Sequence, residues 1–149
     1  MATKSEILKS MWAIARHNLV RLSQSVTKEH MNYKLHPMSN SLGFLMLHIA
    51  EVEIVFGNFV FGFNYPLKSK TFKKEEGVTF DNLEETLEML NKVNLLMEEA
   101  IGNSEEDSWE KIVKTPIGEF TKYDAIARII AHTSYHSGQI GLILKYGNN

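Results

Sequence analysis

TKYDAIARIIAHTSYHSGQIGLILKY, residues Thr121 to Tyr146, decides how the rest of the chain is read. Ala125, Ile129, His132, His136, Ile140 and Ile143 recur at three- and four-residue intervals. That spacing puts them on one stripe of a helix. Thr121 with Asp124 three positions on is a helix-start signature, and Gly147 supplies a stop. The stripe is apolar except for two imidazoles. Histidines four apart on a helix sit roughly 5–6 Å from each other at Cβ. Both can then reach one metal ion, with zinc–nitrogen bonds of about 2.0–2.1 Å.

Working outward, a second helix is predicted from about Asn40 to Phe61, with Ser39 as N-cap after Pro37. Its stripe is Leu45, His48, Val52, Val55 and Phe59, so a third histidine lies inside an apolar face. A first helix is predicted from about Glu6 to Val26, with Leu8, Met11, Trp12, Ala15, Leu19 and Leu22 as its apolar face. Thr3 and Glu6 have capping-box spacing. A third helix is predicted to start at Asp81 and end at Gly102, with a stripe of Leu83, Leu87, Leu90, Asn94, Met97 and Ile101. Four amphipathic helices satisfy one another as a four-helix bundle. The connections 62–80 and 105–120 are long for such a bundle, which points away from a simple up-down-up-down order. Ile112 to Phe120 reads as a turn flanked by short extended pieces, a short β-hairpin before the last helix.

Composition narrows the classes. A chain of 149 residues is expected to be a single domain, 1–149. Apolar content of 44% and charged content of 23% are those of an ordinary globular protein. Net charge is −2, which gives no field that would draw the protein to nucleic acid. The one basic cluster, Lys68, Lys70, Lys73 and Lys74, runs into Glu75 and Glu76 and reads as a solvated loop. There is no cysteine, which excludes a disulfide framework, a thiolate metal site and a cysteine nucleophile, and agrees with a cytoplasmic setting. Met1 to Ser10 does not read as a secretory signal. The strongly apolar run Ile54 to Phe63 is too short for a membrane span of about 20 residues. That run is apolar nearly all round, and an exposed apolar patch marks an interface, so a homodimer is expected. The alternative is that the loop after Asn64 folds over it.

Two readings of the histidines stand at this point. Either His48, His132 and His136 converge on a metal with a coordination position left open, or they are separate core polar groups with separate partners. Gln139 either bonds to the site or faces solvent. Glu51 reads as a surface glutamate, the alternative being a carboxylate that orients an imidazole or acts as a base. Asn94 reads as a register-fixing core polar residue. His17, His30 and His36 read as surface or loop residues, and Trp12 and Tyr135 as core or interface aromatics. Absent motifs exclude other chemistries. The chain has no His-Glu-x-x-His, no Glu-x-x-His, no phosphate loop and no Gly-x-Ser-x-Gly.

The order of Asn40-Ser-Leu-Gly-Phe-Leu-Met-Leu-His48-Ile-Ala-Glu51, then Thr115-Pro-Ile-Gly-Glu-Phe-Thr121, then His132-x-x-x-His136-Ser137-Gly138-Gln139-Ile140 resembles the DinB-like family of four-helix proteins. The likeness extends over nearly the whole chain. It implies a four-helix bundle of unusual connectivity, often dimeric. It also implies one divalent metal ion, usually zinc or nickel, on His48, His132 and His136. The activity it implies is metal-dependent S-transfer, joining a low-molecular-weight thiol to a small-molecule electrophile. A metal-dependent hydrolase or a non-catalytic stress-related binding protein are the alternatives. Many members carry arginine directly after the last histidine, where this chain has Ser137.

Overall fold

A computed structural model describes residues 1–73 and 76–149; Lys74 and Glu75, part of the lysine-rich loop, lie outside the described residues. Helix α1 spans Lys4–Ser23, α2 Leu42–Phe61, α3 Leu83–Gly102 and α4 Lys122–Tyr146. Strands β1 (Ile112–Thr115) and β2 (Gly118–Thr121) form an antiparallel hairpin that leads directly into α4. Short 3₁₀ turns occupy Glu29–Asn32 and Glu106–Glu110.

The helix starts follow from capping chemistry. Thr3 and Glu6 form a reciprocal capping box that opens α1 two residues earlier than the apolar pattern suggests. Thr121 accepts the backbone N–H of Asp124 and opens α4. Two expected caps are displaced. Ser41, not Ser39, accepts the N–H of Phe44 and starts α2. Ser39 is spent in the preceding turn, where its hydroxyl donates to the His36 carbonyl. Asn82, not Asp81, caps α3 by accepting from the Glu85 N–H. An asparagine at the N-cap is as good an acceptor as an aspartate, so the neighbouring pair Asp81-Asn82 left the boundary open by one residue. Gly62 ends α2 in the left-handed conformation, φ 70°, which glycine adopts without steric cost.

Each helix packs on two others. α1 lies against α3 and α4, and α2 lies against α3 and α4. Consecutive helices α1 and α2 are therefore diagonal across the bundle, as are α3 and α4, whereas the long 62–80 connection joins neighbours and is held back against α2 by Glu51 and Asn58. An antiparallel bridge between Lys34 and Asn148 ties the α1–α2 connection to the end of α4.

The core contains Trp12, Leu19, Ile49, Ile54, Met97, Ile129 and Ile140, all essentially inaccessible. Met11, expected on the apolar face of α1, is instead exposed. At its centre is an unexpected polar node. Arg16 of α1 donates to both carboxylate oxygens of Glu53 on α2, at 3.1 and 2.9 Å, and to the carbonyl of Leu90 on α3 at 2.7 Å. Thr133 of α4 donates to the same carboxylate at 2.7 Å. All four helices thus meet on one buried ion pair.

The apolar run Ile54–Phe63 is largely absorbed within the chain. Ile54, Phe56 and Val60 are core residues, and Phe59 alone of the run's large apolar residues is strongly exposed. Phe63 folds back so closely on Gly57 that a Cβ there would lie 2.2 Å from its ring. Asn58 holds Tyr65 by two hydrogen bonds, at 3.0 and 2.8 Å. The chain after α2 therefore covers this end. Helix α2 as a whole has the length and hydropathy of a membrane span, with a mean hydropathy of 1.7 over its most apolar window, but two thirds of that window is buried in the bundle. The shorter run read from the sequence understated it because Glu51 and Glu53 interrupt the apolar pattern.

Candidate metal centre

The site is assembled across the contact between α2 and α4. His48 comes from the middle of α2, and His132 and His136 from successive turns of α4. One ring nitrogen of each lies within 4.8 Å of the others. Ring centroids are separated by 5.1 Å for His48–His132, 5.2 Å for His48–His136 and 4.4 Å for His132–His136. All three are half-buried. The structure thus brings together the residues that the helical spacing singled out.

Their hydrogen bonds set which nitrogen is available. Gln139 places its side-chain oxygen 2.6 Å from His136 Nδ1. A carbonyl oxygen accepts only, so His136 carries its proton on Nδ1 and turns a bare Nε2 away from Gln139. His48 is controlled through a relay. The Thr71 hydroxyl donates to Glu51 Oε2 at 2.5 Å. Its one hydrogen is then used, and toward His48 Nδ1, 3.1 Å away, it acts as acceptor. His48 therefore also carries its proton on Nδ1. His132 Nδ1 is buried and has no hydrogen-bond partner among the described residues.

The Nε2 atoms of His48 and His132 face each other at 3.3 Å. Two bare lone pairs at that distance repel unless a proton or a cation lies between them. Burial lowers all three histidines from the ordinary value of 6.5, His132 to about 4, with the neighbouring imidazoles adding to the effect on His132. The hydrogen bond that His136 donates to Gln139 offsets part of the drop at His136, and Glu51 offsets part at His48. The rings are therefore neutral near pH 7, the form that ligates metal. Three neutral imidazoles with ring nitrogens converging, two of them held at Nδ1 by Thr71 and Gln139, are a donor set that could hold a metal ion.

Glu51 corrects the surface reading given to it. It is 1% exposed. Beyond the Thr71 hydroxyl, its carboxylate accepts from Ser69 Oγ at 2.6 Å, Lys70 N at 2.7 Å and Thr71 N at 2.9 Å. It anchors the 62–80 loop and, through Thr71, orients His48. Thr71 and Ser69 carry no signal in the sequence, since a serine and a threonine in a polar loop are ordinary. Glu51 and Glu53 could have been flagged by their place in the Leu45–Phe56 stretch, which is apolar apart from them and His48. Gln139 is the site partner rather than a solvent residue. Tyr135 is not a core aromatic. It is 65% exposed, with its hydroxyl accepting from Gln139 at 3.3 Å and its ring against His136. Asn94 is half-buried and accepts from the indole N–H of the buried Trp12 at 3.2 Å. His17 and His36 are exposed, and His30 caps a turn by accepting from the Thr27 N–H. Ser137 is buried and donates to the Thr133 carbonyl at 2.6 Å. Position 137 therefore faces the bundle rather than the three imidazoles.

A cavity of about 550 Å³ opens against His132. Its walls are Val52, Val55, Phe56 and Ile129, with Phe72 and Ile117 at the rim. Phe72 also meets the His48 ring edge to face at 6.0 Å. An apolar chamber of the size that admits a small molecule thus borders one of the three imidazoles, His132.

Comparison with known proteins agrees with this architecture. Among curated proteins none matches. A crystal structure of a DinB-like protein from Bacillus cereus ATCC 10987 superposes with a TM-score of 0.77 at 19% identity, over 96% of this chain and 91% of that one. That likeness shows the shared fold. The model of the DinB superfamily matches residues 11–140, which include the three histidines, the hairpin and all but the ends of the bundle. The chain belongs to the DinB superfamily.

Proposed function

We propose that His48, His132 and His136 hold one divalent ion, zinc or nickel, and that the protein is a metal-dependent S-transferase joining a low-molecular-weight thiol to an electrophilic small molecule. The observation that carries the choice of reaction is the lack of a free acid or base. Among the described residues, no carboxylate joins the histidine cluster. The nearest, Glu51, is fully engaged with Ser69, Lys70 and Thr71. Hydrolysis by an activated water is helped by a positioned general base. S-transfer asks only that a thiol be deprotonated and held near a carbon that bears a leaving group.

A divalent ion supplies that requirement by lowering the pKa of a thiol. The chain's own residues do the rest. Thr71 and Gln139 keep two imidazoles in the ligating tautomer. The chamber walls exclude water from the electrophile. With no cysteine in the chain, the thiol comes from solution, which fits our placing of the protein in the reducing cytoplasm. The thiol proton passes to buffer, a carbon–sulfur bond forms and the bond to the leaving group breaks.

The test is turnover of chlorodinitrobenzene with a small thiol. Chloride release that needs both the thiol and the ion, and is lost in the double variant His132→Ala, His136→Ala, is the expected result. Ester cleavage that needs the ion but no thiol overturns the transferase in favour of a hydrolase. Inactivity across a broad thiol and ester panel overturns the enzyme reading in favour of a binding protein.

A further inference from the structure

We infer that the chamber beside His132 binds an amphipathic organic anion, its apolar body between α2 and α4 and its anionic end on Arg128. This names the class of the electrophile in the reading above and rests on it only for the chemistry, not for the binding. The chamber walls, Val52, Val55, Phe56 and Ile129, offer no hydrogen-bonding side chain. An apolar body is the occupant they can desolvate without leaving a polar group unpaired. Phe72 is 49% exposed and Ile117 65% exposed, one on each loop that borders the mouth. Large apolar side chains exposed around a cavity are the surface that a bound apolar group would cover.

The sign of the charged end follows from Arg128. It borders the chamber and sits one helical turn before His132 on α4. Its guanidinium stacks on the Phe120 ring, 4.2 Å from the centroid. Stacking uses the face of the guanidinium and leaves its edge N–H donors directed outward. Among the described residues it has neither a carboxylate partner nor a hydrogen bond. The hairpin thus holds a pre-oriented cation at the rim of an apolar chamber. One turn of helix is about 5.4 Å, so a ligand anchored there has its body passing the face of His132. A carboxylate or sulfonate fits the fork of an arginine, whereas an ammonium is repelled.

The experiment compares octyl sulfonate, octanol and octylammonium as displacers of anilinonaphthalene sulfonate from the full-length protein. A sulfonate is a weak ligand for metal, so the arginine is what it reports. Octyl sulfonate is expected to bind tightest. Arg128→Gln is expected to weaken it about tenfold, the scale of one charge-assisted hydrogen bond, and to leave octanol unchanged. Val55→Trp, which fills the chamber, is expected to weaken all of them. Equal binding of the three head groups, or no effect of Arg128→Gln on the sulfonate, overturns the anionic end. Absence of binding, or binding undiminished in Val55→Trp, overturns the chamber. Metal content measured on the same samples reports separately on the function proposed above. Amphiphile binding in a protein that holds no metal would sink that function and leave this inference standing.

Discussion

Replacing Thr71 by valine removes one hydroxyl and keeps the shape, and the structure says what that hydroxyl is for. It donates to Glu51 at 2.5 Å and accepts from His48 at 3.1 Å. In Thr71→Val, Glu51 keeps its bonds from Ser69, Lys70 N and residue 71 N, so the loop stays anchored. His48 loses the acceptor that fixes its tautomer. Outer partners of this kind are worth about 10–100-fold in metal affinity, which is about 1.4–2.7 kcal/mol. The lost bond to the carboxylate adds a folding cost of about 1.5–3 kcal/mol. The two effects separate by method. Competition against a chromophoric chelator, run well below the melting temperature, reads the affinity. Urea unfolding of the chelated protein reads the stability. Thr71→Ser, which restores the hydroxyl, is expected to recover the affinity. A Thr71→Val protein that binds metal within about twofold of the parent, or a Thr71→Ser protein as weak as the valine, would refute the relay.

Other outcomes follow from the same geometry. Arg16→Met strands the Glu53 carboxylate in the core and is expected to cost about 3–5 kcal/mol in urea unfolding; adding Glu53→Leu should recover much of it, and a double variant no better than the single would count against a paired core. The chelated protein should lose stability in acid. The three histidines have folded values below the ordinary 6.5, so between those values the unfolded chain binds more protons. Their contribution is full above pH 6.5 and fades as pH falls toward about 4, the His132 value. A flat melting temperature across that range, set against a triple histidine-to-glutamine control, would contradict it. The homodimer implied by the family resemblance is left with Phe59 as the exposed large side chain of its apolar run; sedimentation at micromolar concentration checks it, and a monomer unaffected by Phe59→Ser would remove that claim.

Much of this architecture is legible in the residues because it is local. Capping at Thr3 and Thr121, the stripe of α4, and the hairpin before α4 depend on neighbours within a few positions. The stripe expected on α2 is not its buried face: of Leu45, His48, Val52, Val55 and Phe59 only Leu45 is buried, because Met46, Ile49, Glu53, Ile54 and Val60 turn to the core instead. The histidine cluster is legible for the same reason, since two of its members are four apart on one helix and the third interrupts an apolar stripe. What stayed hidden is set by distant segments. Glu51 looks like a surface acid until the loop at Ser69–Thr71 returns to it with four donors. Arg16 and Glu53 each look misplaced on an apolar face until they meet across the bundle. Tyr135 shows the converse. Its aromatic character suggests burial, but it lies on the side of α4 that turns away from the core, where His132 and His136 border the site and Thr133 and Ser137 point inward.

The central claim is that three imidazoles on α2 and α4 form one metal site, and the most direct measurement is elemental analysis of tag-free protein. About one divalent ion per chain is expected, zinc or nickel, lost in the double variant His132→Ala, His136→Ala while helical content is retained. A protein that takes up no ion when metal is supplied, or a double variant that keeps full occupancy, would contradict it.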